Sequence, residues 1–423
     1  MIAEKTNTAQ QLIEKISSSA GKVDFMNDSA LTRALFYLEE KGIPTNKHED
    51  YKYCNIDGIL KKEFKNISQK FSSIENIKPY KLDDTITLVV VNGNYSDTLS
   101  DKTILKGLHI DTFSNIQDSG KKLINSIANV ESDSFIALNT AFSGNGFHLR
   151  ISRNEALQMP IHVLYINNSL SESIVNPRNI IELEENAEAT IIEHYINIGS
   201  SKSFTNFVSE KFLAQNSKLD CYTIQDESMN GFGVFTNQVK VNKHANYSNT
   251  TITLSGQLVR NNHNVVLADS NCEAHLNGLF KISGNQLVDN HTLMDHQMPH
   301  CESNELYKGI IDDKSTGVFN GKIFVRKDAQ KTNAYQSSKN ILLSDDATIN
   351  TKPQLEIYAD DVKCSHGTST GKIDNEAMFY LHTRGIGKES AKKLLLNAFA
   401  GEVIDRIKVE SLQDFVQSKL NLV

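Results

Sequence analysis

The stretch Glu185-Asn186-Ala187-Glu188-Ala189-Thr190-Ile191-Ile192-Glu193 joins a polar turn to a run of strand-forming residues. Comparable turns, two polar residues and a small one before a β-former, recur at steps of about 27 to 30 residues and then at longer steps. Such a period in a strand-rich chain without crossover helices indicates stacked β-coils, in which each coil buries its inner face against its neighbours. The turns are Glu185-Asn186-Ala187, Gln215-Asn216-Ser217, Lys243-His244-Ala245, Asp269-Ser270-Asn271, Asp312-Asp313-Lys314-Ser315 and Asp345-Asp346-Ala347.

The period predicts a mainly β fold with a β-helix core, although a β-sandwich uses the same residue types. We place the core at residues 85–372, with a helical interlude near 114–141. Apolar spacings of three and four predict an N-terminal helical domain at 1–84 and a C-terminal one at 373–423. The C-terminal domain begins at a predicted Asp374 cap, and the predicted N-terminal helices lie near 9–13, 31–41 and 56–64.

Composition excludes several classes of function. The 423 residues carry a net charge of −7, which argues against broad nucleic-acid binding. No stretch approaches the ~18 apolar residues that a bilayer span needs, and the first residues lack the pattern of a signal peptide. Five scattered cysteines without a CxxC motif read as reduced thiols, so we expect a cytoplasmic protein.

The C-terminal part of the chain resembles the SufB/SufD family of iron-sulfur cluster assembly proteins. The resemblance extends over most of the chain and is strongest from about residue 287, and within the family the sequence is similar to the SufD branch. Near residue 54 it has a single cysteine, where SufB often carries a cluster. The residues that carry the resemblance are 318–325, 329–336, 340–344, 353–367 and 379–386, with Gly42-Ile43-Pro44 and Glu49-Asp50-Tyr51-Lys52-Tyr53 near the N-terminus.

The resemblance implies a right-handed parallel β-helix flanked by helical domains, and a scaffold that is not itself an enzyme. It implies a SufB-like partner at the end of the β-helix and a SufC-like ATPase at the C-terminal helices. ATP would be hydrolysed by that partner, and this chain contains no GxxxxGK[ST] phosphate loop. An iron-sulfur cluster would be held transiently at the partner interface. A flavin in the complex and self-association of the isolated chain remain open.

Cys364 and His366 are the residues most suited to cluster chemistry. They lie two apart on a predicted strand, so both side chains leave the same face, about 7 Å apart along the backbone. A thiolate and an imidazole are suitable ligands for iron-sulfur species, and a partner subunit would supply others. The alternative is ordinary strand packing. The resemblance favours His366 as a residue of cluster assembly and leaves Cys364 open.

Three histidines and a cysteine fall within residues 291–301, which by itself suggests a metal site. On one continuous strand His296 and His300 would share a face and Cys301 would point away, while Pro299 would interrupt the strand. We therefore favour a structural role for His296 over metal binding. The roles of His291, His300 and Cys301 remain open.

The C-terminal helices are the expected contact for the ATPase. The residues assigned to that contact are Phe379, Tyr380, Arg384, Leu395 and Phe399. Two other functions stay open beside the scaffold: a β-helix carbohydrate-active enzyme, which would need a catalytic groove, and a stand-alone metal-binding module.

Overall fold

Strands of about ten residues alternate along the chain between two largely parallel sheets, so that the chain winds as a β-solenoid of about eight turns. The computed structural model describes residues 26–56, 77–102 and 105–420, together with residues 14, 59, 64–66 and 74. The predicted β-helix fold class is confirmed, and the sandwich alternative is wrong because each long strand pairs with the strand one coil away.

Strands are numbered in chain order. Sheet 1 contains β1 (Lys65–Asn66), β4 (Leu108–Thr112), β5 (Phe147–Ile151), β7 (Ser173–Val175), β8 (Arg178–Leu183), β10 (Ser203–Leu213), β12 (Gly231–Val241), β14 (Leu258–Leu267), β16 (Leu287–His296), β18 (Thr316–Val325), β20 (Thr348–Thr351) and β21 (Gln354–Ile357). Sheet 2 contains β2 (Ile86–Val91), β3 (Asn94–Tyr95), β6 (Ile161–Asn167), β9 (Glu188–Asn197), β11 (Lys218–Asp226), β13 (Asn246–Ser255), β15 (Glu273–Ile282), β17 (Glu302–Ile311), β19 (Asn333–Leu342) and β22 (Lys363–Gly371).

The core lies between the two sheets. Because alternate side chains of a strand leave opposite faces, every second residue points into the solenoid and meets its equivalent one coil away. In sheet 2 one such inner column runs through Ala189, Leu219, Tyr247, Ala274, Ser303, Ala334 and Cys364. The interior also encloses charge, since Lys211 and Glu193 form an ion pair at 3.0 Å with both side chains 0% exposed.

One line of turns, between sheet 1 and sheet 2, explains the period in the sequence. In each of these turns one residue has a positive φ, a conformation that asparagine tolerates better than most residues. These residues are Asn186, Asn216, His244, Asn271, His300 and Lys331. The next residue is small and buried in each case: Ala187, Ser217, Ala245, Cys272, Cys301 and Thr332.

The six turns that the sequence analysis grouped into one series lie on two different sides of the solenoid. The turns at Asp312–Ser315 and Asp345–Ala347 connect sheet 2 back to sheet 1 and lie opposite the first four. The true continuation is the pair of turns that contain His300 and Lys331. Pro299 breaks the polar-polar-small pattern at the first of these turns, and Gln330-Lys331-Thr332 fits the pattern but was not included in the series, which is why the steps became irregular.

Helices cover the outer face of sheet 1. The N-terminal helix α1 (Asp28–Lys41) and α3 (Ser134–Phe142) pack with the segment around Tyr51 against Phe204, Val234 and other outer residues. The interlude predicted at 114–141 is several short elements, which include α2 (Asp118–Lys121) and the 3-10 helix Phe113–Asn115. Two more 3-10 helices are Glu49–Tyr51 and Lys78–Tyr80. The helix predicted near 9–13, and most of that near 56–64, lie outside the described residues.

Three helices follow the last strand: α4 (Asn375–Thr383), α5 (Lys388–Ile404) and α6 (Glu410–Leu420). Asp374 caps α4 as predicted, because its carboxylate accepts hydrogen bonds from the backbone N–H groups of Glu376 and Ala377. Helices α5 and α6 bury apolar residues such as Val403 and Leu412 against the outer face of sheet 2. None of the helices within the described ranges is long and apolar enough to cross a bilayer.

Candidate functional site

The last coil ends in an open strand edge. Strand β22 pairs in parallel with β19, and no other described strand pairs with it. Most of its residues are exposed, whereas β19 one coil below is largely covered. The unpaired backbone groups of such an edge form a ready template for another chain. The end of the solenoid is therefore suited to bind a partner subunit.

Cys364 and His366 both lie on this edge strand. Cys364 is half-buried and packs against the solenoid core, in register with Ala334. Burial raises the pKa of its thiol, so binding of a metal would have to displace the proton. His366 is exposed, in register with Gln336. The structure thus brings the imidazole to the surface of the last coil and leaves the thiol partly inside.

Gln336 and Glu305 form a buried polar column below His366, which the sequence interpretation missed. The Glu305 carboxyl accepts hydrogen bonds from Thr292 at 2.7 Å and from the Gln336 amide at 2.9 Å. Gly321 makes room for the amide, because a Cβ there would collide with it. Burial raises the pKa of Glu305 to about 7, so this acid holds its proton up to neutral pH. The sequence could have indicated Gln336, because it precedes His366 by about the length of one coil.

The histidines of residues 291–301 do not form one strand face. His296 ends β16 and is buried, whereas His300 lies in the turn with φ of 61°. The expectation that Cys301 points away from His296 is wrong, because the turn redirects the chain and places the Cys301 thiol against the His296 ring. His291 lies on the outer face and pairs with Asp289 at 2.9 Å.

The Asp289 carboxylate also pairs with Arg260, whose guanidinium stacks on the Tyr51 ring at 3.8 Å. Tyr51 in turn donates to Asp133 at 3.1 Å. These contacts fasten the N-terminal segment to sheet 1, and His291 thus serves packing there. Among the described residues, no group of three or more His, Cys, Asp and Glu side chains is placed to hold a metal ion.

The residues assigned to the ATPase contact divide between two environments. Phe379 and Tyr380 of α4 are 70% and 57% exposed, and Arg384 stacks on the Tyr380 ring at 5.3 Å. Phe399 instead packs against the solenoid, with the Lys308 ammonium 4.6 Å from its ring. Leu395 is partly covered. The neighbouring Leu394, which the sequence interpretation omitted, is exposed.

Comparison with known proteins agrees with this geometry. The family described as SUF system FeS cluster assembly, SufBD core domain, matches residues 165–399, and the SufBD protein N-terminal region matches residues 7–163. The chain is 31% identical to the iron-sulfur cluster assembly protein SufD of Escherichia coli over 386 residues, which cover 90% of each chain. It is 30% identical to a SufBD family iron-sulfur cluster assembly protein of Synechocystis over 387 residues, 88% of this chain and 85% of that protein.

The two family regions together cover nearly all of the described solenoid and its helical attachments. The chain therefore belongs to the SufB/SufD family of iron-sulfur cluster assembly proteins, and within that family it is SufD-like.

Proposed function

We propose that this chain is a non-catalytic scaffold subunit of a cytoplasmic complex that builds iron-sulfur clusters. In this proposal a SufB-like subunit pairs with the edge of β22, and a SufC-like ATPase binds the exposed face of α4. The nascent cluster is cargo at the boundary between the two SufB/SufD-type subunits. His366 contacts it from this side, and Cys364 joins only when iron displaces its proton.

The exposed edge of β22 is the observation that carries the proposal. A solenoid that ends in an unprotected parallel strand is prone to pair with another chain, and soluble proteins usually cover or charge such edges. Most residues of β22 are small and polar, and only one of them is a lysine. The strand therefore has little that would prevent another strand from pairing with it. An imidazole on that edge lies where a partner's ligands would meet it, which suits a site shared by two subunits.

The exposed aromatic residues of α4 support the second contact. Aromatic and arginine side chains dominate the binding energy of many interfaces. Phe379 and Tyr380 lie on a helix none of whose residues is buried, and Arg384 follows at its C-terminal end. Coupling an ATPase to this helix would place nucleotide-driven movement next to the edge strand, since only residues 372–374 separate β22 from α4.

Co-expression with a SufB-like chain and a SufC-like ATPase tests the proposal. We expect His366→Ala to copurify with both partners as the wild type does, and to yield several-fold less cluster by absorbance and iron content. Ser369→Ala is the matched control, because Ser369 is exposed on the opposite face of the same strand. Equal cluster yields for the wild type and His366→Ala would remove His366 from the site.

A further inference from the structure

Two successive coils carry a cysteine at the same turn position. The carbonyl of Cys272 accepts a hydrogen bond from Glu302 at 2.9 Å, and that of Cys301 accepts one from Asn333 at 3.0 Å, so the two residues are ladder neighbours. Earlier coils hold Ala187, Ser217 and Ala245 at this position. The turn thus requires a small residue but not a thiol, and the fold alone does not account for two adjacent cysteines.

The two sulfur atoms lie side by side. Both sulfur atoms lie close to one oxygen, the Asp269 carbonyl, at 3.0 Å for Cys272 and 3.2 Å for Cys301. Neighbouring strands lie about 4.8 Å apart, which is within the Cα separation that a disulfide accepts, roughly 4.4 to 6.8 Å. The backbone therefore needs little movement to permit a bond between them.

A buried histidine accompanies the pair. The His296 ring is 0% exposed, its Nε2 lies 2.9 Å from the Ser303 hydroxyl, and its Nδ1 has no well-aligned hydrogen-bond partner. The neighbouring Cys272 thiol and the nearby His296 ring lower the pKa of Cys301 to about 5 against the effect of burial. The same contact, with burial, raises the pKa of Cys272. One thiolate and one thiol is the arrangement that favours oxidation of the first and attack by the second.

The other three cysteines lack these features. Burial raises the pKa of Cys54, Cys221 and Cys364, which keeps them as neutral thiols. The paired thiols lie in a turn at the margin of the solenoid, beside exposed His300 and the 41% exposed Met298. Both cysteines are buried, so a hydroperoxide reaches them only through local opening of the turn.

We propose that Cys272 and Cys301 are a modification site, a dithiol that a hydroperoxide converts into a disulfide between two coils. The Cys301 thiolate attacks the terminal oxygen of the hydroperoxide, and the O–O bond breaks. Cys301 becomes a sulfenic acid, and the leaving oxygen takes up a proton. The Cys272 thiol then attacks the sulfenic sulfur and releases water. Two thiols and one hydroperoxide thus give one disulfide, one alcohol (or water, from hydrogen peroxide) and one water. The proposal is independent of the cluster-assembly function.

The purified full-length chain, treated with hydrogen peroxide and quenched with an alkylating agent in denaturant, tests this. We expect loss of two of its five thiols, a Cys272–Cys301 linked peptide in non-reducing mass spectrometry, and recovery with dithiothreitol. The disulfide closes a loop between the two coils, so oxidation should also raise the thermal unfolding midpoint.

Alanine variants provide the controls, and they should fold because alanine occupies this position at Ala187 and Ala245. In Cys272→Ala we expect hydrogen peroxide to produce neither a linked peptide nor an increase in the midpoint. In Cys221→Ala, which removes a buried thiol elsewhere, the linked peptide should form as in the wild type. If Cys272 and Cys301 of the wild type both remain alkylatable after oxidation, or if Cys221→Ala abolishes the link, the proposal is overturned.

Discussion

Gln336 lies one coil below His366 in the parallel ladder, and its buried amide donates to the Glu305 carboxyl deeper in the solenoid. An exposed imidazole at the end of the molecule therefore rests on a buried polar column. Gln336 and Glu305 lie in the two coils below His366, on the same side of the sheet.

The buried acid of this column predicts a dependence of stability on pH. The pKa of Glu305 is about 7 in the folded chain and about 4.5 without burial. Between these values the folded state keeps a proton that the unfolded state has lost. The free energy of unfolding should therefore fall as pH rises, by at most about 1.4 kcal/mol per pH unit for this group.

Glu305→Gln should reduce this slope, because an amide of the same shape has no proton to lose. Urea unfolding at several pH values between 4.5 and 7 measures it. Glu227, whose pKa burial also raises to about 7, contributes a slope of the same sign, and the buried His194 and His263, whose pKa burial lowers to about 3, contribute slopes of the opposite sign in both proteins. Glu273→Gln, at an exposed position of sheet 2, is the control and should leave the slope unchanged. An unaltered slope in Glu305→Gln would show that Glu305 is ionised in the fold.

If a partner strand pairs with the open edge of β22, a proline at Thr368 should weaken partner binding and an alanine at the same position should not. Because the Lys363 N–H bonds back to Thr332, the N–H groups of the alternate residues, including Thr368, face away from β19. Thr368→Pro removes an outward donor without breaking the ladder to β19. We expect it to weaken binding of a SufB-like partner about tenfold or more, as measured by titration.

Thr368→Ala is the matched control, because it loses the same hydroxyl contact with Thr351 but keeps the N–H group. It should bind the partner nearly as the wild type does. Equal affinity of the proline and alanine variants would mean that the partner does not pair along this edge.

The exposed aromatic residues of α4 predict a specific loss of ATPase binding. Phe379→Ala should weaken association with a SufC-like ATPase at least tenfold, since aromatic anchors at interfaces commonly contribute ~2 kcal/mol or more. Its thermal midpoint should not change, because the ring is 70% exposed. Phe36 of α1, which is 65% exposed, is the control, and Phe36→Ala should bind normally. Similar losses in both variants would point to a general surface effect.

Removing one partner of the buried ion pair between Lys211 and Glu193 should cause a large loss of stability. Lys211 donates to Glu193 at 3.0 Å and to Ser209 at 2.9 Å inside the solenoid. Lys211→Met leaves a buried carboxylate without its cation, which should cost about 3 to 5 kcal/mol in denaturant unfolding. Adding Glu193→Gln should recover much of that loss. If the double variant is no more stable than Lys211→Met, the cost comes from packing and not from unpaired charge.

The sequence determined the fold class because the pattern is local. Asn186 and Asn216 suit the positive φ of the turns, and the small residue after each fits a buried column, so the coil length appears directly in the chain. The same reasoning missed the turn at His300, where Pro299 interrupts the polar pattern, and the turn at Lys331, although both residues adopt the same backbone conformation as Asn186. Turn chemistry is a preference, and tertiary packing overrides it.

The tertiary structure alone decided which side chains meet. Sequence spacing put Cys364 and His366 on one strand, but only the register shows that one is half inside and that Gln336 lies beneath the other. It also brought Cys272 and Cys301 together, although 28 residues separate them in the chain. The physical reason is that a parallel solenoid brings residues about one coil apart into contact. The exact number of residues in each turn fixes which ones they are.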